Sequence, residues 1–269
     1  MYQLRLTLPT PAENVALDEA LLEACEAGQL AGGVLRLWES PEYFVVLGRS
    51  SDPQVEVDLA ACRREGVPVL RRGSGGGTVL AGPGCLMYAV VLEYETLPHL
   101  RAVDAAHRYV LERIAAALAP QVPGVAHAGI SDLVIEAENT PTLRAYPKTR
   151  LEVSSGRESL DNQAVWRRAV KISGNAMRAK RDHFLYHGTL LYDFALDRIG
   201  QLLATPTRVP TYRQDRAHGE FVTNLPLDRD EIEQALIQAW NARQPLADWP
   251  RDWVAELVAT KYEAGIEHG

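Results

Sequence analysis

Residues 67–94 read VPVLRRGSGGGTVLAGPGCLMYAVVLEY, and this stretch sets the fold class. Val67–Arg71 carries the β-branched residues of a strand, a second strand starts at Thr78, and Cys85–Tyr94 is a long apolar run of the kind buried in a sheet. The glycine-rich segment Arg71–Thr78 therefore joins strand to strand. A Walker loop would continue into Gly-Lys-Ser/Thr, and a dinucleotide fingerprint would open a helix, so neither nucleotide fold is encoded. Upstream, Thr10-Pro11-Ala12-Glu13 combines an N-cap threonine, a proline at the first helical position and a reciprocal glutamate. The helix it starts places Leu17, Ala20, Leu21 and Ala24 at helical spacing and ends at Gly28. Val34–Trp38 and Tyr43–Leu47 read as strands, and Val57–Glu65 as a short helix stopped by Gly66. Downstream come an Ala-rich helix, Asp104–Ala119, stopped by Pro120, and strands at Ser131–Glu136, Ala169–Ser173 and Phe184–Tyr192. Two more helices are expected near Asp228–Trp240 and Asp252–Tyr262. The alternation is irregular and without βαβ repeats, so the expected class is α+β, not a doubly wound sheet.

The 269 residues are 46% hydrophobic and 23% charged, an ordinary globular composition that excludes collagen-like and largely disordered classes. A chain this long buries roughly three quarters of its unfolded surface and needs no disulfide or metal staple. The three cysteines, Cys25, Cys62 and Cys85, are widely spaced and encode neither a disulfide framework nor a zinc ribbon. A net charge of −7 without a basic block argues against a nucleic-acid-binding face. No apolar run reaches the ~18 residues of a membrane span, and MYQLRLTLPT lacks the basic and apolar regions of a signal peptide. The cytoplasm is the expected compartment, without a membrane partner. Residues 137–168 are polar and aperiodic, and read as an insertion on the surface of one domain covering 1–269.

Three segments could carry chemistry. In Arg71-Arg72-Gly73-Ser74-Gly75-Gly76-Gly77-Thr78, glycines let backbone N–H groups approach an anion while arginine supplies charge-assisted bonds. The same residues also suit a flexible hairpin tip with two solvated arginines. In Val170–Arg178, Lys171 is flanked by Val170 and Ile172, which point to the opposite strand face, so its ammonium could enter an enclosed site. An edge-strand lysine that discourages aggregation fits equally well. In His183-Phe184-Leu185-Tyr186-His187-Gly188-Thr189 the two histidines share a strand face, but no further ligand lies close enough in sequence for zinc. Cys85 reads as a small buried hydrophobe.

Taken together, the chain resembles the lipoate–protein ligase A family, within the biotin/lipoate ligase and octanoyltransferase superfamily. The matching pieces, in order, are Asn14–Ala20 (NVALDEA), Arg71–Thr78 (RRGSGGGT), Ser131-Asp132-Leu133, Lys171–Arg178 (KISGNAMR), His187–Leu191 (HGTLL) and Lys261-Tyr262. The resemblance implies a mixed central β-sheet flanked by helices, as in class II biotin/lipoate ligase catalytic domains. It implies ATP-dependent activation of lipoate or octanoate to an acyl-adenylate, followed by transfer to a lysine of a lipoyl carrier. That carrier would be a 2-oxoacid dehydrogenase E2 domain, a glycine-cleavage H protein or a specialised lipoyl protein. By resemblance Lys171 is the catalytic cation. Arg72, the backbone of Gly77, Thr78, Val79 and Leu80, and Asp132 would hold the adenylate, with Asp132 as the residue for Mg²⁺. Arg71, Ser74, Gly75, Gly76, Ser173, Gly174, Asn175, His187 and Gly188 would line or shape the acyl tunnel.

Two departures stand out. Where many such ligases carry His-Asp after the glycine loop, this chain reads Ala81-Gly82-Pro83-Gly84, which resembles the HGPGQ loop of octanoyltransferases without its first residue. Against the longer ligases the resemblance implies that the accessory C-terminal domain after Lys261-Tyr262 is missing, so that acyl transfer either calls on a separate accessory subunit or is carried by the compact form alone. Two other readings remain: an ATP-independent acyltransferase, for which Cys85 is the only candidate thiol, and a non-catalytic lipoate-binding protein.

Overall fold

The computed structural model describes residues 1–136, 169–204 and 221–262. The strands are β1 (Tyr2–Arg5), β2 (Val34–Trp38), β3 (Phe44–Leu47), β4 (Val69–Arg71), β5 (Val79–Ala81), β6 (Cys85–Glu93), β7 (Ala126–Ala128), β8 (Asp132–Glu136), β9 (Ala169–Ala179), β10 (His183–Leu191) and β11 (Gln244–Pro245). Eight of them form one sheet in the order β11-β1-β2-β6-β10-β9-β8-β7, and β4-β3-β5 form a second, three-stranded sheet. Both are mixed. β1 runs parallel to β2 and β3 parallel to β4, while β6, β10, β9 and β8 pair antiparallel in turn. The parallel pairs β1–β2 and β3–β4 require crossovers, α1 (Pro11–Glu26) in the large sheet and α2 (Pro53–Glu56) with α3 (Leu59–Glu65) in the small one; β1 is also parallel to β11 on its other side. The crossovers do not build a run of βαβ repeats, so the α+β class holds.

The large sheet is covered on both faces, which explains the uninterrupted apolar run of β6. Cys85, Met87, Ala89 and Val91 join the core beneath α1 and the small sheet; Leu86, Tyr88, Val90 and Leu92 join the core beneath α4 (Val103–Leu118) and α6 (Arg229–Ala239). Alternating side chains thus serve two cores, and each fully buried Leu or Val contributes about 1.5–3 kcal/mol. The faces are called below the α1 face and the α4 face.

The helix starts follow local chemistry. Thr10 Oγ1 accepts from Glu13 N at 3.2 Å while Glu13 Oε2 accepts from Thr10 N at 2.9 Å, the expected capping box. Gly66, at φ 66° and ψ 26°, closes α3 in the left-handed conformation. The helix expected over 57–65 is α3, started two residues later by its Asp58 cap, and a separate turn, α2, capped by Asp52, precedes it. After α5 (Asp197–Leu202), α7 (Arg251–Leu257) passes into a π-helical turn, Val258–Tyr262.

One difference bears on function. β9 continues to Ala179, six residues past the expected strand end at Ser173. Ser173-Gly174-Asn175 has turn chemistry, but β10 takes up the pairing from Asn175 onward and keeps the chain extended. The segment after Lys171 is therefore sheet, not loop. The expected 137–168 insertion lies outside the described residues. No helix among the described residues is long and apolar enough to cross a membrane.

Candidate active site

Lys171 owes its aim to an irregularity in β9. Asp132 pairs with Gly174 and Leu133 with Ser173, but Val134 pairs with Lys171, so Ile172 is an extra residue without an opposite number. Such a bulge resets the alternation of the strand. Ile172, like Val170, is buried in the α4-face core. Lys171 consequently shares the α1 face with Gly174, where its Nζ lies 3.2 Å from the point a Cβ on Gly174 would occupy. Val79 Cγ1, just beyond the glycine loop, is 4.0 Å from the same point, so the ammonium and the loop meet over Gly174. Asp132, directly opposite Gly174, pairs with it: Asp132 Oδ1 is 2.7 Å from Lys171 Nζ. On its outer side Lys171 is bracketed by Val222, and Thr223 N donates to the Lys171 carbonyl at 2.9 Å.

The glycine loop is held from within. Arg72, expected at the phosphate, is buried and spends its guanidinium on the loop: Nε donates to Ser74 Oγ (2.9 Å), Nη2 to the carbonyls of Gly75 (2.6 Å) and Gly77 (2.8 Å), and Nη1 to Val46 O (3.2 Å). Burial pushes it down to about 10, with Glu56 pulling it back up, so it stays a cation at neutral pH. Its role is to shape the loop. Arg71 likewise turns from the expected acyl tunnel to staple the preceding turn, Nη1 donating to the carbonyls of Gly48 (2.9 Å), Arg49 (3.2 Å) and Ser51 (2.8 Å). Thr78 is latched by Glu56, whose Oε2 accepts from Thr78 Oγ1 at 2.5 Å and from its N–H at 3.2 Å. Gly48 lets the loop approach: a Cβ there would sit 1.9 Å from Gly76 O. At Gly75 and Gly77 an added Cβ would meet nothing within 4 Å. Val79 borders the site, whereas the Leu80 side chain is in the core and could contribute only backbone.

The NVALDEA helix supplies the acids behind this face. Asp18 Oδ1 accepts from the fully buried Arg36 at 2.6 Å, and Asn14 takes the other guanidinium nitrogen at 2.7 Å. Asp18 Oδ2 faces His187 Nδ1 at 3.4 Å, and His187 Nε2 lies 2.7 Å from Ser74 Oγ. Glu19 gathers Arg178, Lys261 Nζ (2.5 Å) and Tyr262 Oη (2.7 Å). The Lys-Tyr pair of the C-terminal segment is thereby tied to α1. Burial pushes Glu19 up, but the hydrogen bonds from Lys261 and Tyr262 and the charges of Lys261 and Arg178 outweigh it and hold the carboxyl below its ordinary value.

Three expected acyl-site residues belong to the opposite face. Asn175, Gly188 and Tyr88 are consecutive partners across β9, β10 and β6, and Tyr88 is in the α4-face core. Asn175 reaches over Gly188, where a Cβ would be 1.8 Å from Oδ1, to accept from Tyr88 Oη at 2.5 Å. Ser173 Oγ donates to the same oxygen at 3.1 Å, and Asn175 Nδ2 donates to Ser131 O at 2.8 Å. Ser173, Asn175 and Gly188 thus lock strands together behind the site. Lys171, Gly174, Asp132, Ser74, Gly76 and His187 are brought together on the α1 face. Asp18, Glu56 and Gly48 were missed, since what marks them is contact with segments far away in sequence.

Cys85 is fully buried in the α1-face core, and burial pushes its thiol far up, so it offers no thiolate. His183 is taken by Glu26, Nδ1 to Oε2 at 3.2 Å. Among the described residues no group of three or more His, Cys, Asp or Glu side chains is placed to hold a metal. A Mg²⁺ that arrives on phosphates needs only one or two protein carboxylates, and the single carboxylate of Asp132 fits that use.

Residues 10–240 match the family model described as the lipoyl protein ligase A/B catalytic domain. A protein of Aeropyrum pernix, provisionally named lipoate-protein ligase A, is 28% identical over 247 residues, which is 91% of this chain and 76% of that protein. Octanoyltransferase LipM of Carboxydothermus hydrogenoformans is 30% identical over 266 residues, covering 93% of this chain and 91% of that protein. A solved lipoate-protein ligase A bound with ATP shares the fold at a TM-score of 0.69 and 20% identity, covering 98% of this chain and 96% of that one.

Proposed function

The chain belongs to the lipoyl protein ligase A/B catalytic-domain family, and from that premise we propose that it is an ATP-dependent ligase, a single catalytic domain that activates lipoate or octanoate and attaches it to a carrier lysine. The observation that carries this reading is the Lys171 ammonium, turned by the Ile172 bulge onto the face of the glycine loop and set beside Asp132. The chemistry must bring a carboxylate against an α-phosphate. Two like charges 4 Å apart repel by about 4 kcal/mol near a protein surface, and a fixed cation between them reverses the sign.

The acyl carboxylate oxygen attacks the α-phosphorus and pyrophosphate leaves, giving the acyl-adenylate. A carrier lysine's neutral ε-amine then attacks the acyl carbonyl, AMP leaves, and the amine proton passes to solvent. Lys171 holds the carboxylate and a phosphoryl oxygen together in the first step. Gly75–Gly77, held open by Arg72, offer backbone beside the adenylate; Gly174, Gly76 and His187 border the acyl group. Asp132 would hold Mg²⁺, which supplies charge neutralisation for the leaving pyrophosphate. The relative solved with ATP supports the nucleotide assignment, and the cytoplasm is the compartment proposed for the reaction. A separate accessory subunit would be a further partner for the transfer step.

Acid-dependent ATP–pyrophosphate exchange tests this. Wild-type protein with lipoate, octanoate and Mg²⁺ exchanges label; Lys171→Ala loses about 10²–10³-fold, and Lys171→Arg does not restore it, because a planar fork replaces a point charge. No exchange with either acid, or exchange that survives Lys171→Ala, sinks the proposal. Exchange would also dispose of the non-catalytic binding reading. The octanoyltransferase relative favours a second reading, ATP-independent acyl transfer, but that reading needs a nucleophile other than Cys85.

A further inference from the structure

Adenylation makes no use of the chain of contacts that runs through Ser74. Ser74 Oγ is 2.7 Å from His187 Nε2, and His187 Nδ1 is 3.4 Å from Asp18 Oδ2. Asp18 is fixed in turn, its other oxygen 2.6 Å from the buried Arg36. The acid favours the tautomer with hydrogen on Nδ1, which leaves Nε2 free to accept the Ser74 hydroxyl proton. A nucleophile bonded to a base that is oriented by a third group is the signature of an activated hydroxyl. The 3.4 Å leg is long, as such bonds are before a substrate closes the site. A fourth group adds to it: Arg72 Nε donates to the same Ser74 oxygen at 2.9 Å, a fixed positive charge where an alkoxide would develop. Ser74 is 2% exposed, but the loop beside it leaves open space at Gly75 and Gly77.

We propose that Ser74 is a nucleophile that accepts a medium-chain acyl group from a thioester without ATP, with His187 as its base and Asp18 as the positioning residue. Ser74 Oγ attacks the thioester carbonyl and its proton passes to His187 Nε2. The C–S bond breaks, the leaving thiolate takes that proton, and an acyl ester on Ser74 remains. A carrier lysine's amine then attacks the ester; its proton passes through His187 to Ser74 Oγ, leaving an amide and the restored hydroxyl. Water in place of the amine gives the free acid. This proposal rests on the acyl group binding beside the glycine loop, and not on adenylation.

The test treats the full chain, in ATP-free buffer, with octanoyl N-acetylcysteamine thioester, followed by intact mass and peptide mapping. An octanoyl adduct is expected on the peptide containing Ser74, absent in Ser74→Ala. Thiol release should slow by about 10²-fold or more in His187→Asn. Ser74→Cys should shift the adduct to a thioester cleaved by neutral hydroxylamine, a change that a merely structural serine would not produce. No adduct in either the wild type or Ser74→Cys, an adduct that persists in Ser74→Ala, or one that maps to Lys171 overturns the proposal. Exchange of pyrophosphate by the same preparation separates the two readings: exchange without adduct removes this one alone, and adduct without exchange removes the ligase.

Discussion

A single methyl group at position 188 tests the polar row across β9, β10 and β6. In Gly188→Ala the new Cβ would lie 1.8 Å from Asn175 Oδ1, 2.7 Å from its Cγ and 2.9 Å from Gly174 O, all inside the 3.0 Å that real Cβ atoms keep. The Asn175 side chain has to swing away, because the Gly174 carbonyl belongs to the sheet. Tyr88 then loses the acceptor of its buried hydroxyl, and the bonds from Ser173 and to Ser131 go with it. Stranding a buried polar group costs about 1–3 kcal/mol, and overpacking adds about 1–3 more, so the variant should lose roughly 3–5 kcal/mol. Against a total of about 5–15 kcal/mol this is large, and corresponds to a fall of about 10 °C in Tm. Circular dichroism in thermal and urea titrations reads both quantities. The stringent form is a double-mutant cycle. Asn175→Ala alone should cost about 2 kcal/mol, and Gly188→Ala on that background clearly less than in the wild type, since only the 2.9 Å approach to Gly174 O is left. Strict additivity, or a Gly188→Ala protein melting within about 2 °C of wild type, would show that Asn175 does not cross the strand as described.

Three further outcomes are expected. Gly48→Ala drives a Cβ to 1.9 Å from Gly76 O and displaces the glycine loop; activity should fall about 10²-fold with a smaller change in Tm, and full activity would refute the loop's dependence on Gly48. Cys85→Ala should keep wild-type exchange and acyl transfer while losing about 1 kcal/mol of stability from the vacated volume; loss of activity in a folded Cys85→Ala protein would return that thiol to the mechanism. The lowered Glu19 carboxyl makes stability pH-dependent. A group whose folded pKa is depressed contributes fully above its ordinary value of 4.5, and loses that contribution as pH falls through the lower folded value. Glu19→Gln should therefore be less stable than wild type at pH 7, with the gap closing on acidification; a gap constant from pH 7 to pH 3 contradicts the Glu19–Lys261–Tyr262 linkage.

What the sequence could disclose follows from how local each cause is. The capping box of Thr10 and Glu13 spans four residues and was legible. So was β6, because a strand buried on both faces has no polar alternation to confuse with another element. Ser173-Gly174-Asn175 misled for the opposite reason: turn-forming residues are held extended by β10, a partner eight or more residues on. Arg72 beside a glycine run reads as a hand held out to a ligand, yet its guanidinium folds back on Gly75 and Gly77. The direction of a long side chain depends on which acceptors are already satisfied nearby, and that is a property of the assembled loop. Tyr2–Arg5 and Ala126–Ala128 escaped as strands because four and three residues carry too little periodicity to register. Asp18, Glu56 and Gly48 escaped because each is defined by a neighbour 18 or more residues away.

The supernumerary Ile172 has a consequence for anyone altering this protein. Pleat parity is a matter of counting, and the bulge already counts Ile172 out, so the strand pairs with β8 as though it were one residue shorter. Deleting Ile172 would restore unbroken step with β8 and leave Lys171 where it is, opposite Val134 and two positions from Gly174 on the same face. What brings the lysine through the wall is the opposite event, a strand that keeps all its residues and irons the bulge flat, for then Lys171 and Gly174, three apart, look out on different sides.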